Sequence, residues 1–148
     1  LVGNLTGERP YGKAATDEER RVARALAAVT VECFLRAAAL VSPSGKQNTF
    51  AAHQPPSLIL VEVRQQRTPI SYANAFVKPV SATRDASLVE ASIARLATHA
   101  QRLAEAFNLE GSPRLVLEPE GEQFTVEGVE RVTSLATLTQ RVRESLDA

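Results

Sequence analysis

Apolar residues recur along this chain in two rhythms, one near the α-helical repeat and one extended. Val22, Leu26, Val29, Cys33, Ala37 and Leu40 follow one another at steps of three or four, which places them on a single helical stripe. Thr16 stands ahead of them with Glu19 three residues on, the spacing of a capping box, and Asp17 and Glu18 suit the positive end of a helix dipole. The pattern predicts a long helix from Asp17 to Val41, packed on the core through that stripe and ended by Ser42-Pro43-Ser44-Gly45. Ser87 and Glu90 repeat the capping spacing. Leu88, Ile93, Leu96, Ala100, Leu103 and Phe107 then predict a second long helix reaching Gly111. Ser134 opens a third, with Leu135, Leu138, Val142 and Leu146 on one face.

Between the helices the rhythm changes. Ser57 to Arg64 is apolar, largely β-branched and preceded by Pro55-Pro56, the signature of a buried strand. A second extended stretch is expected from Tyr72 to Val80, closed by Lys78-Pro79. Arg114 to Glu118 reads as a strand, with Gln123 to Glu127 pairing back as a hairpin around Gly121. A βαββαβ unit without its first strand has this order. The predicted fold class is therefore α+β: a partial ferredoxin-like, RNA-recognition-type palm. Two long helices would cover one face of an antiparallel sheet and leave the other free to bind. The 148 residues read as one domain, with a loop over 1–15, a helix-strand-strand-helix body over 16–111, and a hairpin and terminal helix over 112–148.

Composition adds limits. Aromatic residues are 5% of the chain, with no Trp or Met, so the core must come from Leu, Val, Ile and Ala. No apolar run approaches the roughly 20 residues of a membrane span, and no signal peptide is visible. With Cys33 alone, expected as a small core residue, the chain has no internal disulfide and reads as cytoplasmic, with no membrane partner. Leu1 at the start and the lack of any Met read as a piece of a larger protein.

Seventeen basic residues balance seventeen acidic ones, but unevenly along the chain. Between Arg36 and Arg84 stand Arg36, Lys46, Arg64, Arg67, Lys78 and Arg84 against Glu62 alone, whereas Glu110 to Glu130 holds six glutamates against Arg114. The middle suits an anion, and the acidic part suits solvent or a basic neighbour.

The loop from Ser42 to Gln54 is rich in donors and lies between a long helix and a buried strand. Gly45-Lys46 is not a phosphate-binding P-loop, because Leu40 and Gln47 occupy positions where that motif needs Gly and Ser or Thr. The loop still offers the Lys46 charge, the amides of Gln47 and Asn48, the hydroxyls of Ser44 and Thr49, and a close backbone approach at Gly45. These suit phosphate and ribose contacts, which hold a strand without reading its sequence. The same residues also suit a connector that satisfies its own backbone. No nucleophilic or acid-base constellation stands out. His53 and His99 read as solvated or packing residues, Glu118, Glu120 and Glu122 read as a solvated face, and neither a metal nor a cofactor is expected.

Pro43 to His53, Leu58 to Arg64 and Tyr72 to Val80, in this order and spacing, resemble the CasC-type backbone subunits of type I-E CRISPR surveillance complexes, Cascade. The resemblance runs from Asn4-Leu5-Thr6-Gly7 to the final helix and covers only the C-terminal portion of the family protein. It implies a non-catalytic subunit that polymerises along CRISPR guide RNA and displays its bases to target DNA. Its partners would be further copies of itself and other Cascade subunits. It further implies RNA contacts at Ser44, Gly45, Lys46, Gln47, Asn48 and Thr49, with Asn74 and Lys78 as additional candidates. In such assemblies base pairing reads sequence while protein reads backbone and shape. Val77 departs from the family pattern, which often has Glu before the Lys.

Overall fold

A computed structural model describes residues 16–41, 54–64, 70–109 and 112–147. Helix α1 spans Asp17–Leu40, strand β1 Ile59–Glu62, a 3-10 turn Ala73–Phe76, helix α2 Leu88–Phe107, strands β2 Arg114–Leu117 and β3 Val129–Val132, and helix α3 Leu135–Asp147. The chain divides into two compact units, one built from residues 1–56 with 135–148 and the other from residues 57–134.

Both predicted capping boxes form. The Thr16 hydroxyl accepts the Glu19 N–H while the Glu19 carboxylate accepts the Thr16 N–H at 2.9 Å, and Ser87 and Glu90 do the same at the start of α2. At the far end of α2, Asn108 takes a left-handed conformation with φ 51° and its N–H returns to Ala104 O, so the helix closes short of Gly111.

In the first unit α1 lies against α3, and the face that α1 buries is not the predicted one. Ala28 and Ala39, three turns apart, are buried, whereas Val22 and Leu26 are 57% and 66% exposed and Val29, Cys33, Ala37 and Leu40 are exposed as well. Seven alanines in α1 make its other faces apolar too, and small side chains allow close helix approach, so the stripe of larger residues does not decide which side packs.

The second unit is a three-stranded sheet of order β1-β2-β3. β1 runs antiparallel to β2 with Leu60 opposite Val116, but β2 and β3 are parallel. The predicted hairpin at Gln123–Glu127 is therefore a crossover segment, and the third strand begins beyond Gly128. Phe124 and Val126 of this crossover are buried in one core with Ile93, Ala97 and Ala100 of α2 and Val116 of β2. Burying these two side chains over the sheet outweighs the turn signal at Gly121. The sheet face opposite α2 is not an open platform, since Leu115 and Leu117 are buried. The architecture is α+β, with three helices and a small mixed sheet compatible with a partial ferredoxin-like palm.

Glu118 corrects the reading of the acidic run as a solvated face. Its side chain is 0% exposed and accepts the N–H groups of Gln123 and Phe124 at 3.0 and 3.2 Å and Arg131 Nη1 at 2.9 Å. Arg131 also donates to Phe124 O at 3.1 Å, and Arg114 Nη2 donates to Glu127 O at 2.6 Å. A parallel connection must travel back along the sheet. Here one carboxylate and two guanidinium groups fold its backbone, while Glu120 and Glu122 remain exposed.

Candidate nucleic-acid interface

Within residues 70–80 lies the 3-10 turn Ala73–Phe76, where an extended stretch is predicted from sequence. Ala73, Asn74 and Ala75 offer no β-branched side chains to a pleat. Local bonds close the turn: Ser71 Oγ accepts the Ala73 N–H, and the Ala75 and Val77 N–H groups return to Tyr72 O and Asn74 O. Ala75 is buried, and its carbonyl accepts Arg95 Nε of α2 at 3.1 Å. The turn is thus pinned to α2 and presents Asn74, Phe76, Val77 and Lys78 outward, all four exposed.

Behind it lies a polar network that the sequence reading missed. Tyr72 OH donates to Glu62 Oε1 at 2.7 Å, and Arg64 Nη2 donates to Glu62 Oε2 at 2.7 Å. The signal was present as Glu62-Val63-Arg64, since residues two apart on a strand share a face. His99 of α2 meets the Tyr72 ring edge-on at 6.4 Å, and its enclosed Nε2 has no hydrogen-bond partner among the described residues.

Burial, and then the hydrogen bond and charge of Glu62, push the Tyr72 phenol from 10.0 up to about 12, with Arg64 opposing. The folded-state value lies above the unfolded one. The stabilisation is therefore complete below pH 10 and is lost as pH rises toward 12. In a Tyr11→Phe variant of the full chain, phenolate absorbance is expected to rise with a midpoint near 12, and adding Glu62→Gln should lower it. A midpoint near 10 with Glu62 intact would contradict the network.

These contacts revise the basic middle of the chain. Arg36 pairs with Glu32 at 3.1 Å and Arg64 with Glu62, so both charges are answered internally. Lys78 and Arg84 carry no ion pair among the described residues, and residues 70–84 contain no acidic side chain. Of the predicted contact residues, Asn74 and Lys78 fall together on this surface, whereas Ser44, Gly45, Lys46, Gln47, Asn48 and Thr49 lie outside the described residues, as does His53.

The sequence matches the family of CT1975-like proteins over residues 1–143. The chain belongs to that family. Among solved structures, this CT1975-like chain is similar to a chain of a "CRISPR RNA-guided surveillance complex", with 28% identity and a TM-score of 0.67 over 85% of its length. It is likewise similar to a chain of a "CRISPR RNA-guided surveillance complex, pre-nicking", with 26% identity and a TM-score of 0.68 over 87% of its length. It spans 45% and 35% of those two chains. No curated protein matches it. Among the described residues, no helix is long and apolar enough to cross a membrane, and no group of three His, Cys, Asp or Glu is placed to hold a metal ion.

Proposed function

We propose that this CT1975-like chain is a non-catalytic subunit of a Cascade-type surveillance complex, of the CasC kind, that holds guide RNA by its backbone and leaves the bases to pair with target DNA. The observation carrying this reading is the family match over residues 1–143, together with likeness over most of the chain to subunits of RNA-guided complexes. The exposed Asn74 and Lys78 support it, because a cation and an amide suit a polyanion. Ser44 to Thr49 would supply the second set of backbone contacts, with further copies and other subunits as protein partners.

If Lys46 and Lys78 each neutralise a phosphate, Lys46→Ala and Lys78→Ala should each flatten the dependence of log K on log salt by about one unit of slope, equally for unrelated RNA sequences. Fluorescence anisotropy across a salt series measures this. Unchanged slopes in both variants would refute the phosphate role.

A second reading, a protein-contact module without direct RNA contact, has one observation in its favour. Val22, Leu26, Val29 and Leu40 form an exposed apolar seam along α1, larger than single scattered residues explain. Loss of assembly on Leu26→Glu with RNA binding intact would favour it.

A further inference from the structure

Beside Lys78 the pinned turn exposes an aromatic side chain. Phe76 is 44% exposed, one residue past the buried Ala75 whose carbonyl Arg95 holds, and it stands between exposed Asn74 and exposed Lys78. A core aromatic would be expected to turn inward where the neighbouring α2 offers an apolar face, since a large ring gains most from burial. Here Ala75 takes the inward place and Phe76 is left outside.

We infer that Phe76 is a stacking platform for an unpaired nucleobase of bound RNA, with Lys78 and Asn74 holding the adjoining phosphate and ribose. This rests on the RNA-holding reading above and extends it, because backbone contacts alone need no ring. Three features favour a nucleobase over an apolar protein surface. The exposed turn carries Lys78, and no acidic residue occurs in sequence until Asp85, beside Arg84. An amide and an amine stand two residues to either side of the ring in sequence, donors of the kind a sugar-phosphate accepts. The mount is rigid, fixed by the Tyr72, Asn74 and Arg95 hydrogen bonds, so little ordering is required when a flat partner lands on it. Every base has a π-face, so stacking tolerates any guide sequence, as a subunit that holds arbitrary RNA requires.

The test uses the full chain with single-stranded RNA of mixed sequence, and with the same RNA made abasic. Phe76→Leu should weaken binding of the base-bearing RNA by roughly tenfold, leave the abasic RNA unaffected, and keep the salt slope of the native chain. Phe76→Tyr should restore binding, because it keeps the ring. A 2-aminopurine in the RNA should be quenched on binding by the native chain and by Phe76→Tyr, and less so by Phe76→Leu. Urea unfolding of Phe76→Leu checks that the fold persists.

Equal affinity of native chain and Phe76→Leu for both RNAs overturns the stacking role, while the Lys78→Ala slope change would still stand for RNA holding. A Phe76→Leu variant that loses self-association but binds both RNAs normally also overturns it, and assigns the ring to a protein contact. If the native chain binds RNA with no salt dependence, the RNA-holding reading fails and the stacking role with it.

Discussion

Replacing Glu118 with Ala is expected to destabilise the full chain by about 3 kcal/mol, since removing one member of a buried ion pair typically costs about 3–5 kcal/mol and Arg131 retains some access to water. The Glu118 side chain is fully buried and receives two backbone N–H groups of the crossover and one guanidinium group. Its loss strands the Gln123 and Phe124 N–H groups, the latter bond being buried, and leaves Arg131 without its carboxylate. At an m-value of roughly 1–3 kcal/mol per molar urea, the unfolding midpoint should fall by about 1–3 M. Glu120→Ala, in the same acidic run but exposed, should stay within about 0.5 kcal/mol of the native chain. Equal effects of the two substitutions would mean that Glu118 does not anchor the crossover.

Leu138→Ala should be comparably severe. Leu138 lies in α3 with 0% exposure, and a Leu-to-Ala change in a packed site costs about 2–5 kcal/mol, depending on how far the cavity collapses. Leu26→Ala, on the exposed seam of α1, is the informative contrast. At 66% exposure it should shift stability by no more than about 0.5 kcal/mol. Urea unfolding of both variants distinguishes the observed packing of α1 from the one its hydrophobic stripe predicts, because burial of that stripe would make Leu26→Ala as costly as Leu138→Ala.

The contrast between these two leucines shows where the sequence is legible and where it is not. Helix starts depend on a few residues in fixed local spacing, so Thr16 with Glu19 and Ser87 with Glu90 reveal them without knowledge of the rest of the fold. The strands at Ile59 and Arg114 are equally local, as short apolar runs bounded by turn residues. What covers a helix face is a long-range matter. The stripe from Val22 to Leu40 identifies an apolar face but names no partner, and the alanines on other faces leave α3 an alternative side.

The same limit hid the crossover. Gly121 signals a reversal, yet whether the chain then pairs back or travels on is decided by Phe124 and Val126 finding the α2 core and by Glu118 finding Arg131, thirteen positions away. In the candidate interface, Asn74 and Lys78 of the Tyr72–Val80 segment lie at the surface. Its shape was not legible, because the Ala75 carbonyl is held by Arg95 from a helix that begins later in the chain.

Direct crosslinking of the assembled complex to its guide, followed by identification of the peptides carrying RNA, tests the central claim most directly. Crosslinks are expected in residues 42–53 and 71–80 of this chain, recurring with guides of unrelated sequence. Crosslinks confined to other subunits, with these two segments joined only to protein, would contradict it.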